Sequence, residues 1–227
     1  MTDFLASSAL FAVALTFFAY ELGRLCQQKL RLPIFNPILI AAVLTAVVLA
    51  AAGISNETYQ RHCEAFSWLL TPSTVCLAIP LHAQFRRLRH DLPAILAGVV
   101  AGTLTSLGCV WGLAVLFRLD SVLTLSLLPK SITTAMGIAV SEAAGGAPAL
   151  TTAAIILTGI LGSVFGPQLC RLLRLDHPAA QGAAFGTSAH VIGTSKAAEM
   201  NQTAEAVSSL SLVVAGILTA VLCPLLL

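Results

Sequence analysis

Four stretches of this chain, 34–54, 92–117, 149–170 and 206–227, carry no charged side chain at all. A fifth, 4–20, is charge-free up to Glu21. A helix rises about 1.5 Å per residue, so each of the four crosses roughly 30 Å of hydrocarbon. In that layer the backbone must satisfy its own hydrogen bonds, which makes the helix the spanning element for runs of this length. Composition agrees, with 57% of 227 residues hydrophobic, only 10% charged, and a mean hydropathy of +0.91. A soluble domain carries about a quarter charged residues. The chain is therefore expected to be an all-α polytopic membrane protein, with 1–227 forming a single transmembrane domain. The segment 4–23 lacks a basic leader and a small-residue cleavage site, and reads as a retained first helix.

The remaining composition narrows function by exclusion. A net charge of +2 gives no electrostatic footprint for nucleic acid. The six cysteines are scattered, without Cys-x-x-Cys or metal-ligand His spacing, and read as packing residues; no metal and no cofactor are expected. No nucleophile elbow, paired carboxylates, zinc-protease motif or phosphate loop is present, so an enzyme is not expected.

Basic residues orient the spans, because lysine and arginine concentrate in cytoplasmic loops. They cluster at Arg24, Lys29 and Arg31, at Arg86, Arg87 and Arg89, and at Arg171 and Arg174. Spans at 34–54 and 64–84, then at 92–117 and 149–170, keep all three clusters on one side only if 121–146 crosses an even number of times. That predicts a re-entrant segment or a pair of half-helices there.

Three segments look interrupted. In "LLTPSTVCLAIPLHAQ" (69–84), Thr71 and Pro72 suit a helix start and Pro80 a kink. "LLPKSITTAMGIAVSEAAGG" (127–146) has its own proline, Pro129, and the two segments fit one ten-position pattern, which suggests an internal inverted repeat. "GTSAHVIGTSKAAE" (186–199) lies within a stretch, 176–204, too long for a featureless loop. Helix breaks persist in a membrane only where they face protein or a wet cavity, and a half-helix N-terminus offers free N–H donors to an anion. With the plain spans, this gives about seven to eight membrane segments including broken or re-entrant ones. Gly98-x-x-x-Gly102, Gly108-x-x-x-Gly112 and Gly162-x-x-x-Gly166 are expected to supply close helix contacts.

The polar residues of these segments are the candidate site. An intramembrane lysine is costly, and Lys130, one residue after Pro129, would stand at a helix N-terminal turn, where its charge is unfavourable unless an anion shares the site. Ser131, Thr133 and Thr134 are its natural co-donors, although hydroxyls also back-bond to helix carbonyls. Glu142 lies about 18 Å from Lys130 along a continuous helix, too far to pair without a turn, and is a candidate coupling residue. His190 titrates near neutral pH and either binds substrate, couples a proton, or packs. Lys196 and Glu199 stand at i,i+3 and read as an ion pair. Asn36, before Pro37, lines the site or caps its helix.

The residues "PKSITT" (129–134), "GAPALT" (146–151) and "GTSAHVIGT" (186–194) resemble the hallmark segments of the LrgB/CidB family of bacterial membrane proteins, and "TPSTVCLAIPLHAQ" is similar to an earlier hydroxyl-proline segment of that family. The resemblance marks out Lys130, Ser131, Thr133, Thr134, His190, Gly193 and Thr194, with Ser73 and Thr74 in the earlier segment. It implies two functions. One is secondary transport of small monocarboxylates such as glycolate, glycerate, lactate or pyruvate, the plastid relatives being glycolate/glycerate transporters. The other is an antiholin-like or holin-like component regulating murein hydrolase and autolysis with a small LrgA/CidA-type partner. It also implies a multi-pass protein of the bacterial inner membrane, a homodimer, and broken helices as in bile-acid-symporter-like transporters. Transport is the favoured expectation, because polarity clusters at helix breaks instead of running along one span. In it Lys130 holds the carboxylate, hydroxyls read a neighbouring oxygen, and Glu142 or His190 couples a proton.

Overall fold

The computed structural model describes residues 8–30, 37–76 and 78–226, and Asn36 lies outside them. The described residues form eleven α-helices: α1 (Ala9–Leu30), α2 (Pro37–Ala52), α3 (Asn56–His62), α4 (Glu64–Cys76), α5 (Ala78–Leu116), α6 (Ser121–Leu127), α7 (Thr134–Ala144), α8 (Pro148–Leu172), α9 (Pro178–Ser188), α10 (His190–Met200) and α11 (Gln202–Leu222). Four windows, Ala9–Lys29, Arg89–Leu116, Pro148–Leu172 and Gln202–Leu225, are long and apolar enough to cross a membrane. The pair α2 and α3, bent by 117°, makes a fifth if taken as one broken span. The runs 92–117, 149–170 and 206–227 thus fall in span-length helices, as does most of 4–20, while 34–54 yields only the shorter α2 of the bent pair. The described residues form no strand, and the chain is a multi-pass membrane protein.

The chain gathers into two compact units, Met1–Cys76 and Leu77–Leu227. In the first, α1 packs on α2 where Gly23 faces the backbone of Pro37; a Cβ there would come within 2.9 Å of the Pro37 Cα. Thr16 Oγ1 and the Tyr59 hydroxyl, 2.7 Å apart, tie α1 to α3, and an edge-to-face contact between Phe17 and Phe66 ties it to α4. Pro72 sits inside α4 instead of opening a helix, which corrects the expected start at Thr71–Pro72. The expected span 64–84 falls on α4 and the start of α5, on either side of Leu77, which lies outside the described residues. Ser73 and Thr74 lie in α4, outside the set of described side chains.

In the second unit α11 is the hub, packed against α5, α9 and α10. It is the most enclosed of the spans, 56% buried over its apolar window against 33% for Pro148–Leu172. Close approach depends on glycine: a Cβ on Gly182 would strike the Ala204 carbonyl, and one on Gly186 the Ser208 carbonyl. Gly162 and Gly166 likewise admit Ala189 and Phe185, as their spacing predicts. Gly98, Gly108 and Gly112 meet nothing within 4 Å among the described residues, so the other two pairs are not close-contact motifs within this unit, Gly102 alone lying near Thr187.

Both polar segments of this unit are broken, as expected. In 121–146, α6 and α7 flank a turn, and in 176–204, α9 gives way to α10 at Ala189 and His190. The second helix of the first pair starts at Thr134, capped by Thr133, and not at Pro129. Pro72 is helical and Pro129 lies in a turn, so the shared pattern of the two segments is not matched by like local structure.

Candidate functional site

The turn between α6 and α7 is packed from the inside by apolar side chains. Leu128, Pro129 and Ile132 are fully enclosed, which fixes the backbone on either side of Lys130. Ser131 is buried and Lys130 half-buried. The Lys130 ammonium donates to Ser131 Oγ at 3.1 Å, and Ser131 Oγ stands 3.1 Å from Ser106 Oγ on α5. No carboxylate pairs with Lys130 among the described residues.

These three side chains end a groove of about 820 Å³ between α5 and α9. Its walls are small residues, among them Gly98, Gly102, Ala183 and Ala184, and its far end carries Asp91 and His177. Asp91 precedes Ser106 by about 22 Å of helix, too far to neutralise the lysine. Its carboxylate instead meets His90 Nδ1 at 3.0 Å. The groove follows most of the span Arg89–Leu116.

Hydroxyls around the groove divide into two kinds. Thr105, Thr187 and Ser188 each donate to a carbonyl of their own helix, Ala101, Ala183 and Ala184, at 2.8, 2.7 and 2.6 Å. Their protons are committed. Ser106 and Ser131, among the described residues, have each other and the lysine as side-chain partners.

The other sequence candidates lie elsewhere. Thr133 Oγ1 accepts from Met136 N at 3.4 Å as the cap of α7, so it serves the helix end that was expected to serve an anion. Thr134 is the first residue of α7 and half-buried. Glu142 is exposed on α7 and does not line the groove. His190 is buried, its Nε2 donating to the Ile155 carbonyl at 2.8 Å, with a left-handed φ of +42° at the α9–α10 break. Gly159 makes room for the ring: a Cβ there would stand 2.7 Å from Nε2. Thr194 is buried between α10 and α11, donating to the His190 carbonyl at 3.0 Å and 2.8 Å from Ser208 Oγ. Lys196 and Glu199 form the expected ion pair at 2.5 Å. The structure therefore joins Lys130 with Ser131 and leaves His190 and Thr194 in the packing of α8, α10 and α11.

Ser106 and Cys109 of α5 are absent from the sequence-level candidates, yet both line the groove beside Lys130. One signal points to them: Gly98, Gly102 and Ser106, and Ala101, Thr105 and Cys109, repeat small residues at i+4 on one helix face.

Residues 16–227 match the model of the LrgB-like family. The chain belongs to that family. It is 34% identical to the holin-like protein CidB of Staphylococcus aureus (strain N315) over 226 residues, covering 100% of this chain and 98% of that protein. It is 32% identical to the antiholin-like protein LrgB of Bacillus mycoides (strain KBAB4) over 216 residues, or 95% and 94% of the two chains. The holin-like protein CidB of Staphylococcus epidermidis (strain ATCC 12228 / FDA PCI 1200) is 32% identical over 218 residues, 96% of this chain and 95% of its own. No solved structure matches. Among LrgB-like segments of this chain, "GTSAHVIGT" is thereby a packing motif in large part: Gly186 and Gly193 admit Ser208 and Ala189, while His190 and Thr194 brace the break.

Proposed function

We propose that this LrgB-like protein carries small monocarboxylate anions, of the glycolate, glycerate, lactate or pyruvate class, across the bacterial inner membrane. The observation that supports this most is Lys130: an ammonium half-buried in a groove, bonded to a serine, with no carboxylate partner among the described residues. A cation in such a place is expensive unless an anion visits it. The groove's volume admits a small carboxylate with water, and its course along a span suits passage. The proposal gives Glu142 and His190 no coupling role, since neither lines the groove.

The test is counterflow of labelled glycolate and pyruvate in proteoliposomes. Wild type shows saturable uptake, and Lys130→Ala, still folded and inserted, loses about tenfold or more, the worth of a hydrogen bond to a charged group. Absence of uptake in the wild type overturns the carrier.

A second reading is favoured by the names of the relatives, holin-like and antiholin-like. On it the chain is a membrane component that regulates murein hydrolase activity and autolysis together with a small LrgA/CidA-type partner, without a substrate of its own. Leakage of an unrelated dye from the same vesicles, alone or with that partner, and insensitive to Lys130→Ala, supports this reading over the first.

A further inference from the structure

Counting protons around Lys130 gives more than the presence of a charge. The ammonium has three donors and commits one to Ser131 Oγ. Ser131 and Ser106 share one hydrogen bond, which uses one of their two protons whichever donates. Two ammonium protons and one hydroxyl proton are therefore left, facing a groove where Thr105, Thr187 and Ser188 are committed to their own helices. A carboxylate takes the ammonium protons. Ser131 Oγ already accepts from the ammonium, which polarises its own hydroxyl to donate to Ser106 Oγ; the proton left over is then that of Ser106, and it suits one further acceptor beside it.

We infer that Ser106 of α5 is a specificity-determining residue of this site, selecting carboxylates that bear a hydroxyl or keto oxygen on the carbon next to the carboxyl group over those that bear none. The inference rests on the carrier reading and assigns a residue that the motifs of the turn do not contain. Ser106 is suited to the task by position. It comes from α5 and not from the α6–α7 turn, and its Oγ stands 3.1 Å from the serine that accepts from Lys130, so a ligand held by the lysine lies within its reach. Its neighbours one turn away are Gly102 and Cys109, which leave space instead of filling it. Thr105 beside it on the same helix has no free proton, because Ala101 accepts it.

Counterflow rates for glycolate against acetate, and for lactate against propionate, read the selectivity directly. Wild type favours the oxygenated member of each pair. Ser106→Ala reduces that ratio about tenfold, chiefly by losing the oxygenated acid, which is the expected worth of one hydrogen bond. Ser106→Thr keeps a hydroxyl and retains most of the ratio, and Thr105→Val leaves it unchanged. An unchanged ratio in Ser106→Ala overturns the inference while leaving the carrier intact. So does an equal fall for both acids, which marks a structural serine, and so does a wild type that transports all four acids alike. A wild type that transports none overturns the carrier reading itself, and the inference with it.

Discussion

An imidazole buried among apolar helices has two nitrogens to satisfy, and His190 commits one of them to the Ile155 carbonyl on α8. Its backbone also stands at a φ of +42°, a region costly for a residue with a Cβ. Such strain persists only where surrounding contacts hold it. The ring is therefore a brace for the α9–α10 break, and His190→Ala is expected to cost about 1–3 kcal/mol through the lost hydrogen bond and the space left beside Gly159. Thermal unfolding of the purified variant in detergent checks this, and an unchanged melting temperature refutes it. Lys130 makes the opposite case. Its ammonium is half-buried without a counter-charge among the described residues, so Lys130→Ala is expected to melt no lower than wild type while losing uptake. A side chain that costs stability and is needed for activity belongs to a functional site. The histidine and the lysine stand in motifs of equal prominence in the sequence. What separates them is the Ile155 carbonyl, a partner thirty-five positions away that no local pattern announces.

Between helices, glycine carries the close contacts, and position decides its importance. Gly186→Ala sets a Cβ against the Ser208 carbonyl, a backbone atom that cannot step aside without moving α11. A loss of about 1–3 kcal/mol is expected, as for other overpacked interiors. Gly112→Ala meets open space and is expected to lie within about 1 kcal/mol of wild type, since alanine also favours the helix. Parallel thermal melts distinguish the two, and equal effects would refute the assignment of α9 and α11 as the tight contact. Much of this scale was legible beforehand. Long apolar runs become spans because lipid leaves no alternative, and the polar, small-residue segments 121–146 and 176–204 break because proline, glycine and hydroxyls weaken a helix there. Where the reading missed, two local signals competed. Both Pro129 and Thr133 are good helix openers, and burial of Leu128, Pro129 and Ile132 settles the start at Thr134. Ser106 was hidden for another reason: it stands within a plain apolar span, where a lone serine back-bonding to its own helix is the ordinary expectation.

At the scale of the whole molecule, exposure has two meanings. Phe117 and Leu172 are 69% and 77% exposed, which in water would carry a large cost and in lipid carries none. Groove residues such as Thr105 and Cys109 are exposed as well, yet they stand beside a lysine and serines, so the groove is expected to hold water while the outer faces meet hydrocarbon. Cysteine chemistry separates the two environments, because a thiol reacts with a maleimide as its thiolate, and a thiolate needs water. Cys109 is exposed in the groove, whereas Cys170 and Cys223 are buried. A sulfonated maleimide supplied to both faces of reconstituted vesicles, read out by mass spectrometry, is expected to modify Cys109 and to spare Cys170 and Cys223 until the protein is unfolded. Added glycolate should slow the reaction at Cys109, since the anion and the reagent compete for the space beside Lys130. Labelling without protection leaves a wet groove that binds no such acid. An unreactive Cys109 in the folded protein makes the groove a dry seam between helices, and neither an anion nor a proton count around Lys130 would then describe what it does.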